Sequence, residues 1–171
     1  MSTITLRDLY LAELTDLYDA EQQLLCELPL LAASATAAEL REAFDLHYLE
    51  TQRHLERLAR IFRGLDERPR GASCRALRAM IEDARLRNGH VQRTALDGAL
   101  IAVGQHIEHY EIAGYRSAWT YAMSIDDRDG ARVLQETLEE EGGMDRRLVE
   151  LAMAGSLTSP GHQPFAISVN H

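Results

Sequence analysis

The chain of 171 residues contains no lysine; all 18 of its basic residues are arginine. That absence excludes Schiff-base chemistry, a P-loop lysine and any lysine general base. Cysteine is nearly as scarce. Cys26 and Cys74 stand far apart without CxxC or CxxH spacing, which argues against zinc and against a redox motif. Two isolated cysteines fit a reducing compartment. Only 4 prolines and 11 glycines occur, and they are localised, which favours long helices over a sheet. No apolar run approaches the roughly 18 residues of a membrane span, and no basic-then-apolar leader opens the chain. A soluble cytoplasmic protein is expected. Basic excess is missing too: 27 acids against 18 bases give −9, so nucleic acid is not an expected partner.

What remains is a helical pattern. Apolar residues make up 46 % of the chain, enough for a sizeable core. Leu6, Tyr10, Leu14, Leu17, Leu24, Leu28 and Leu31 predict a helix from about Thr5 to Ala33, with Pro29 kinking or ending it. Thr36 and Glu39 fit a capping box that launches a second helix to about Phe62. A loop over 63–73 leads to a short helix from Cys74 to about Asn88, capped by Ser73 and stopped by Gly89. Further helices are expected over about 94–123 and from Asp126 and Asp127 to near Gly155. The spacing thus predicts an all-α antiparallel four-helix bundle over residues 1–155, with a short extra helix in a long crossover and an irregular tail over 156–171. Between Arg53 and Arg93 lie 11 arginines and 5 acids, an excess of +6 in an acidic chain. A solvated face explains it, as does a charge-matched subunit contact, and a homodimer is the expected assembly.

Placing each acid on its helix separates two populations. Glu21 is central among Leu14, Leu17, Leu25 and Leu28, while Ile101, Ile112, Tyr115 and Trp119 surround Glu108, with Glu111 to one side. Glu141 lies among Leu134, Leu148 and Ala152, and Glu140 points roughly 100° away from it. On the second helix the stripe of Leu40, Ala43, Leu58 and Ile61 contains His47 and His54, with Glu50 at its edge. One such glutamate is explained by an arginine partner, and one such histidine by a hydrogen bond in the core. Four helices each contributing an inward carboxylate are a different matter, because unpaired buried carboxylates cost several kcal/mol each. Arg53 and Arg57, which flank Glu50, offer partial compensation; two divalent cations offer more. An internal echo (Glu21 with Glu108, Glu50 with Glu141) gives the layout of a di-metal carboxylate bundle. Its oxygen-rich donor set suits iron, or alternatively manganese, better than zinc or copper.

The segments Tyr18-Asp-Ala-Glu21, His47-Tyr-Leu-Glu50-Thr51, Ile107-Glu108-His-Tyr-Glu111-Ile-Ala and Glu139-Glu140-Glu141 resemble the signature segments of the YciE/YciF family over about residues 4–154. That family is ferritin-like, similar to rubrerythrins, and associated with bacterial stress responses. The resemblance implies a di-iron or other di-metal site built by Glu21, Glu50, Glu108, Glu111 and Glu141. It leaves His47 and His54 both as imidazole candidates. Ferroxidase, peroxidase and catalase-like oxidoreductase outcomes share such machinery, with O₂ or peroxide as substrate. The alternative is a non-catalytic structural or partner-binding bundle in which arginine or protonated acids neutralise a metal-free interior. The sequence departs from the di-metal pattern at Met144, where a histidine is usual after Glu141, with Asp145 following. Gly142 and Gly143 weaken that helix, implying loose coordination or a vacant metal position, or else a close packing contact. With only Cys26 and Cys74, the Cys₄ iron domain of rubrerythrins is not expected in these 171 residues. His106 and His109 are expected on the surface, His162 and His171 in the tail, and Tyr18 and Tyr115 as core aromatics.

Overall fold

The computed structural model describes residues 3–69, 74–88 and 91–158. Its elements are α1 (Leu6–Ser34), α2 (Ala38–Gly64), α3 (Arg75–Asn88), a 3₁₀ turn (Arg93–Ala95), α4 (Leu96–Ser124) and α5 (Arg128–Thr158). Among the described residues there is no strand, and no helix is long and apolar enough to cross a membrane.

Local signals account for most boundaries. Thr5 caps α1 through a reciprocal box with Asp8. Pro29 does not end α1, which continues to Ser34; the proline removes one backbone donor, and burial of Leu28 and Ala32 holds the final turn in place. The capping box expected at Thr36 and Glu39 does not form. Instead the carboxylate of Asp97, at the start of α4, accepts from Thr36 N at 2.7 Å, Thr36 Oγ1 at 2.5 Å and Ala37 N at 2.9 Å. One α4 residue therefore ties down the entry to α2. Asp127 opens α5 by accepting from Gly130 N at 2.9 Å. The expected roles of Ser73 and Gly89 lie outside the described residues. α5 runs past the boundary expected near Gly155, and the rest of the predicted tail, with His162 and His171, likewise lies outside them.

The helix ends fix the topology. Thr36 and Asp97 place the end of α1 and the starts of α2 and α4 together. At the other end, Arg7 meets Glu67 and Leu65, and Tyr10 donates to Asp127 at 3.0 Å. α1 with α2 and α4 with α5 are thus antiparallel neighbours, and α1 packs on α4 and α2 on α5. The link from α2 to α4 must traverse the bundle from end to end, carrying α3 along α4 and α1. A four-helix bundle with one long crossover has the connectivity of ferritin-like folds. The first turn of α3 is moored to α1, where Asp19 accepts from Cys74 N at 2.6 Å and Gln23 donates to the Cys74 carbonyl at 3.0 Å.

The apolar core is in two pieces. One holds Leu24, Leu28, Leu40, Phe44, Leu77, Leu100 and Leu148; the other holds Tyr10, Leu14, Leu17, Leu58, Phe62, Tyr115 and Leu134. Between them, at mid-height, the four long helices bury Glu21, His47, Thr51, His54, Glu108, Glu111, Thr137 and Glu141.

Candidate metal centre

Helical spacing delivers this polar layer. Glu21 follows Leu17 and precedes Leu24 on one buried stripe of α1, and His47, Thr51 and His54 share a stripe of α2. Glu108 and Glu111 enter from α4 between Ile107 and Tyr115, and Glu141 from α5 between Leu134 and Leu148.

Two groups of donor atoms result, each with its atoms within 4.8 Å of one another: His47, Glu108, Glu111 and Glu141, and Glu21, His54 and Glu141. Glu141 belongs to both. His47 Nε2 lies 3.2 Å from Glu108 and 3.9 Å from Glu111, while His54 Nδ1 lies 3.2 Å from Glu21 and 3.0 Å from Glu141. All six residues are at most 1 % exposed, so water cannot solvate them.

The hydrogen bonding is deficient to match. Among the described residues twelve buried side-chain nitrogens and oxygens lack a hydrogen-bond partner, and nine belong to these six residues. They include both oxygens of Glu111 and Glu141 and both ring nitrogens of His47. Native interiors rarely leave such groups unmatched, and a cluster of them could be matched by a metal ion. The donor set, carboxylate oxygens with two imidazoles, fits a pair of hard-to-intermediate divalent cations.

The electrostatics tell the same story. Burial, reinforced by the neighbouring carboxylates, holds Glu108 and Glu111 well above the usual carboxylate range. Burial also raises Glu21, against the pull of His54. Glu141 escapes: burial would raise it, but His54 draws it below its ordinary value. Burial lowers His47. His54 goes the other way, because Glu141 and Glu21 outweigh its burial and raise it well above 6.5. Burial thus disfavours the charged forms of Glu21, Glu108 and Glu111 unless a positive charge offsets it.

Around the centre, Tyr115 donates to Glu21 and stacks edge-on near the His54 ring, at 6.2 Å between centroids. Tyr18 is half-buried and edge-on to Phe62. Sequence reasoning missed Glu140, whose Oε2 is 2.8 Å from His54 Nε2. Arg57 holds that carboxylate in a fork, at 2.5 and 3.0 Å, and also donates to Thr137 at 3.2 Å. Glu140 lies off its own helix's apolar stripe, but α2 packs beside that flank of α5. This position is where a partner carboxylate fixes the tautomer of a metal-binding histidine.

Glu50 is not brought into either group. Its side chain keeps 15 % exposure and lies 3.6 Å from the exposed Arg53, consistent with its place at the edge of the α2 stripe. Arg53 and Arg57 do not neutralise the interior carboxylates; they are engaged with Glu50 and Glu140. His106 is exposed, and His109 is exposed and 3.3 Å from Asp145. The α5 helix passes through Gly142 and Gly143 unbroken. A Cβ at either would meet only the end of the Arg146 side chain, so close packing does not explain these glycines.

The comparisons with known proteins agree with this architecture. Residues 5–159 match the family described as Domain of unknown function (DUF892). Protein YciF of Escherichia coli (strain K12) is 35 % identical over 158 residues, covering 90 % of this chain and 93 % of YciF. A crystal structure of the E. coli stress protein YciF superposes with a TM-score of 0.87 at 33 % identity, over 92 % of this chain and all of that one. YcfI from Rhodopseudomonas palustris, for which a structural role has been suggested, gives a TM-score of 0.83 at 36 % identity, over 85 % and 94 % of the two chains. With nearly its whole bundle matched in sequence and in shape, the chain belongs to the DUF892 family, together with E. coli YciF.

Proposed function

We propose that the chain is a di-metal carboxylate protein, holding iron or alternatively manganese, that reacts with O₂ or peroxide in a stress-response setting. The observation that carries the reading is the convergence of nine unpartnered buried donor atoms into two groups joined by Glu141. His47, Glu108 and Glu111 would hold one ion, Glu21 and His54 the other, and Glu141 both. Bound there, such ions supply Lewis acidity and one-electron redox capacity. The chain's own residues do the rest. The two apolar clusters above and below exclude bulk water. Glu140 keeps the Nε2 hydrogen of His54, leaving Nδ1 free to donate its lone pair. Glu108 and Glu111 hold protons that a cation displaces. The description of E. coli YciF as a stress protein supports the setting.

A second reading is a metal-free structural bundle. It draws on the role suggested for YcfI and on the raised pKa of Glu108 and Glu111, which lets both be neutral. Metal analysis separates the two. Full-length protein purified without chelator and loaded anaerobically with Fe(II) or Mn(II) should hold about two ions per chain. Less than about 0.2 per chain after loading would overturn the di-metal reading.

A further inference from the structure

The polar layer contains one group that neither the ligand set nor the helix backbone uses. Thr51 lies on α2 four residues after His47 and three before His54, on the stripe that both histidines turn inward. It is fully buried, and its Oγ1 has no hydrogen-bond partner. A helical serine or threonine ordinarily returns its hydroxyl to the carbonyl four residues back, as Thr15, Ser117 and Thr120 do here. Thr51 does not. The other buried hydroxyl of the layer, Thr137, is matched by Arg57 and the Val133 carbonyl.

A neutral hydroxyl is a poor ligand beside four carboxylates and two imidazoles, so Thr51 is not a seventh metal donor. It is a hydrogen-bond donor in a layer otherwise rich in acceptors. The Tyr115 hydroxyl already donates its hydrogen bond to Glu21, and the Nε2 side of His54 faces Glu140. A small anion entering beside the histidines would find the Thr51 hydroxyl free to turn towards it.

We propose that Thr51 is the hydrogen-bond donor for a small exogenous anion, of the azide or hydroperoxide class, admitted to the polar layer on the His47–His54 side. The proposal rests on the di-metal reading. Sodium azide is the probe, titrated calorimetrically into the iron-loaded full chain of wild type, Thr51→Val and Thr51→Ser, with metal content measured for each. All three should carry the same metal, Thr51→Val should bind azide about tenfold or more weakly, and Thr51→Ser should recover most of the affinity. In chelator, Thr51→Val should melt no lower than wild type, because it removes an unmatched buried hydroxyl.

The outcomes are distinct. Failure of wild type to load metal overturns the di-metal reading and this proposal together. Full metal content with equal azide affinity in wild type and Thr51→Val, or with no azide binding by wild type, overturns this proposal alone. A Thr51→Val protein that melts several degrees lower in chelator and binds azide normally assigns Thr51 a packing role and also overturns it.

Discussion

Replacing Glu111 with leucine should make the metal-free protein more stable and the metal-loaded protein less so. Glu111 is fully buried, and neither of its oxygens has a hydrogen-bond partner; the basic group beside it is His47, whose Nε2 lies 3.9 Å away. An unmatched buried polar group costs about 1–3 kcal/mol. Leucine removes that cost and adds apolar area between Ile107 and Tyr115. In a chain of this length each kcal/mol moves the melting temperature by about 2–4 °C, so Glu111→Leu should melt about 2–12 °C above wild type in chelator. Metal reverses the order. An ion at a hundred times its dissociation constant stabilises the wild type by about 2.7 kcal/mol. At the same conversion that is a rise of about 5–11 °C per site. The variant, lacking a donor from the His47 group, should lose most of the rise from that site. Differential scanning calorimetry of both proteins, with chelator and with Mn(II), reads all four values. Glu111→Gln controls for shape: it should forfeit the metal response without the gain in chelator. A Glu111→Leu protein that melts below wild type in chelator would refute the reasoning, since the carboxylate would then have to be well matched without metal.

Metal binding should release protons, because the carboxyls of Glu108 and Glu111 are held high by burial and must ionise to coordinate. The metal-free form binds more protons, so apparent affinity rises with pH; calorimetry in buffers of different ionisation enthalpy should show net release, and its absence would contradict the assignment. Glu140→Ala should lower metal affinity by about 10–100-fold by freeing the His54 ring, while the ions held per chain at saturation stay unchanged. Gly142→Ala should stabilise the protein by about 0.4–1 kcal/mol, since the new Cβ would meet only Arg146 Nη1 at 3.4 Å in an unbroken helix. A loss of stability in chemical denaturation would show that the exposed side of α5 is packed against something else.

The bundle was legible because periodicity and scarce glycine and proline act within single segments. The inward acids were legible for the same reason: Glu21, Glu108 and Glu141 interrupt apolar stripes that a helical wheel reveals. The choice between His47 and His54 was not a choice at all, since one helix face reaches both donor groups from different heights. Where sequence reasoning failed, the deciding contact crossed between helices. Glu140 points away from its own stripe yet meets His54 because α2 lies along that side of α5. Thr36 looked like half of a capping box, but the acid that occupies the entry to α2 comes from α4. Glu50 matched the family pattern, and its stripe-edge position leaves it outside both donor groups, 3.6 Å from Arg53. No wheel drawn on one helix contains such information.

The division of the apolar core has a consequence for how the molecule comes apart. The two clusters are joined along each helix only through the polar layer, which contributes little cohesion when its charges are unmatched. Residues 20–44 with 77–84, 100–107 and 144–148, and residues 10–17 with 58–62 and 115–134, are therefore candidate units of partial opening. A cation shared through Glu141 would clamp the two halves at their seam. Amide exchange would then slow at both ends of the bundle at once, and two loosely linked halves would open as one body.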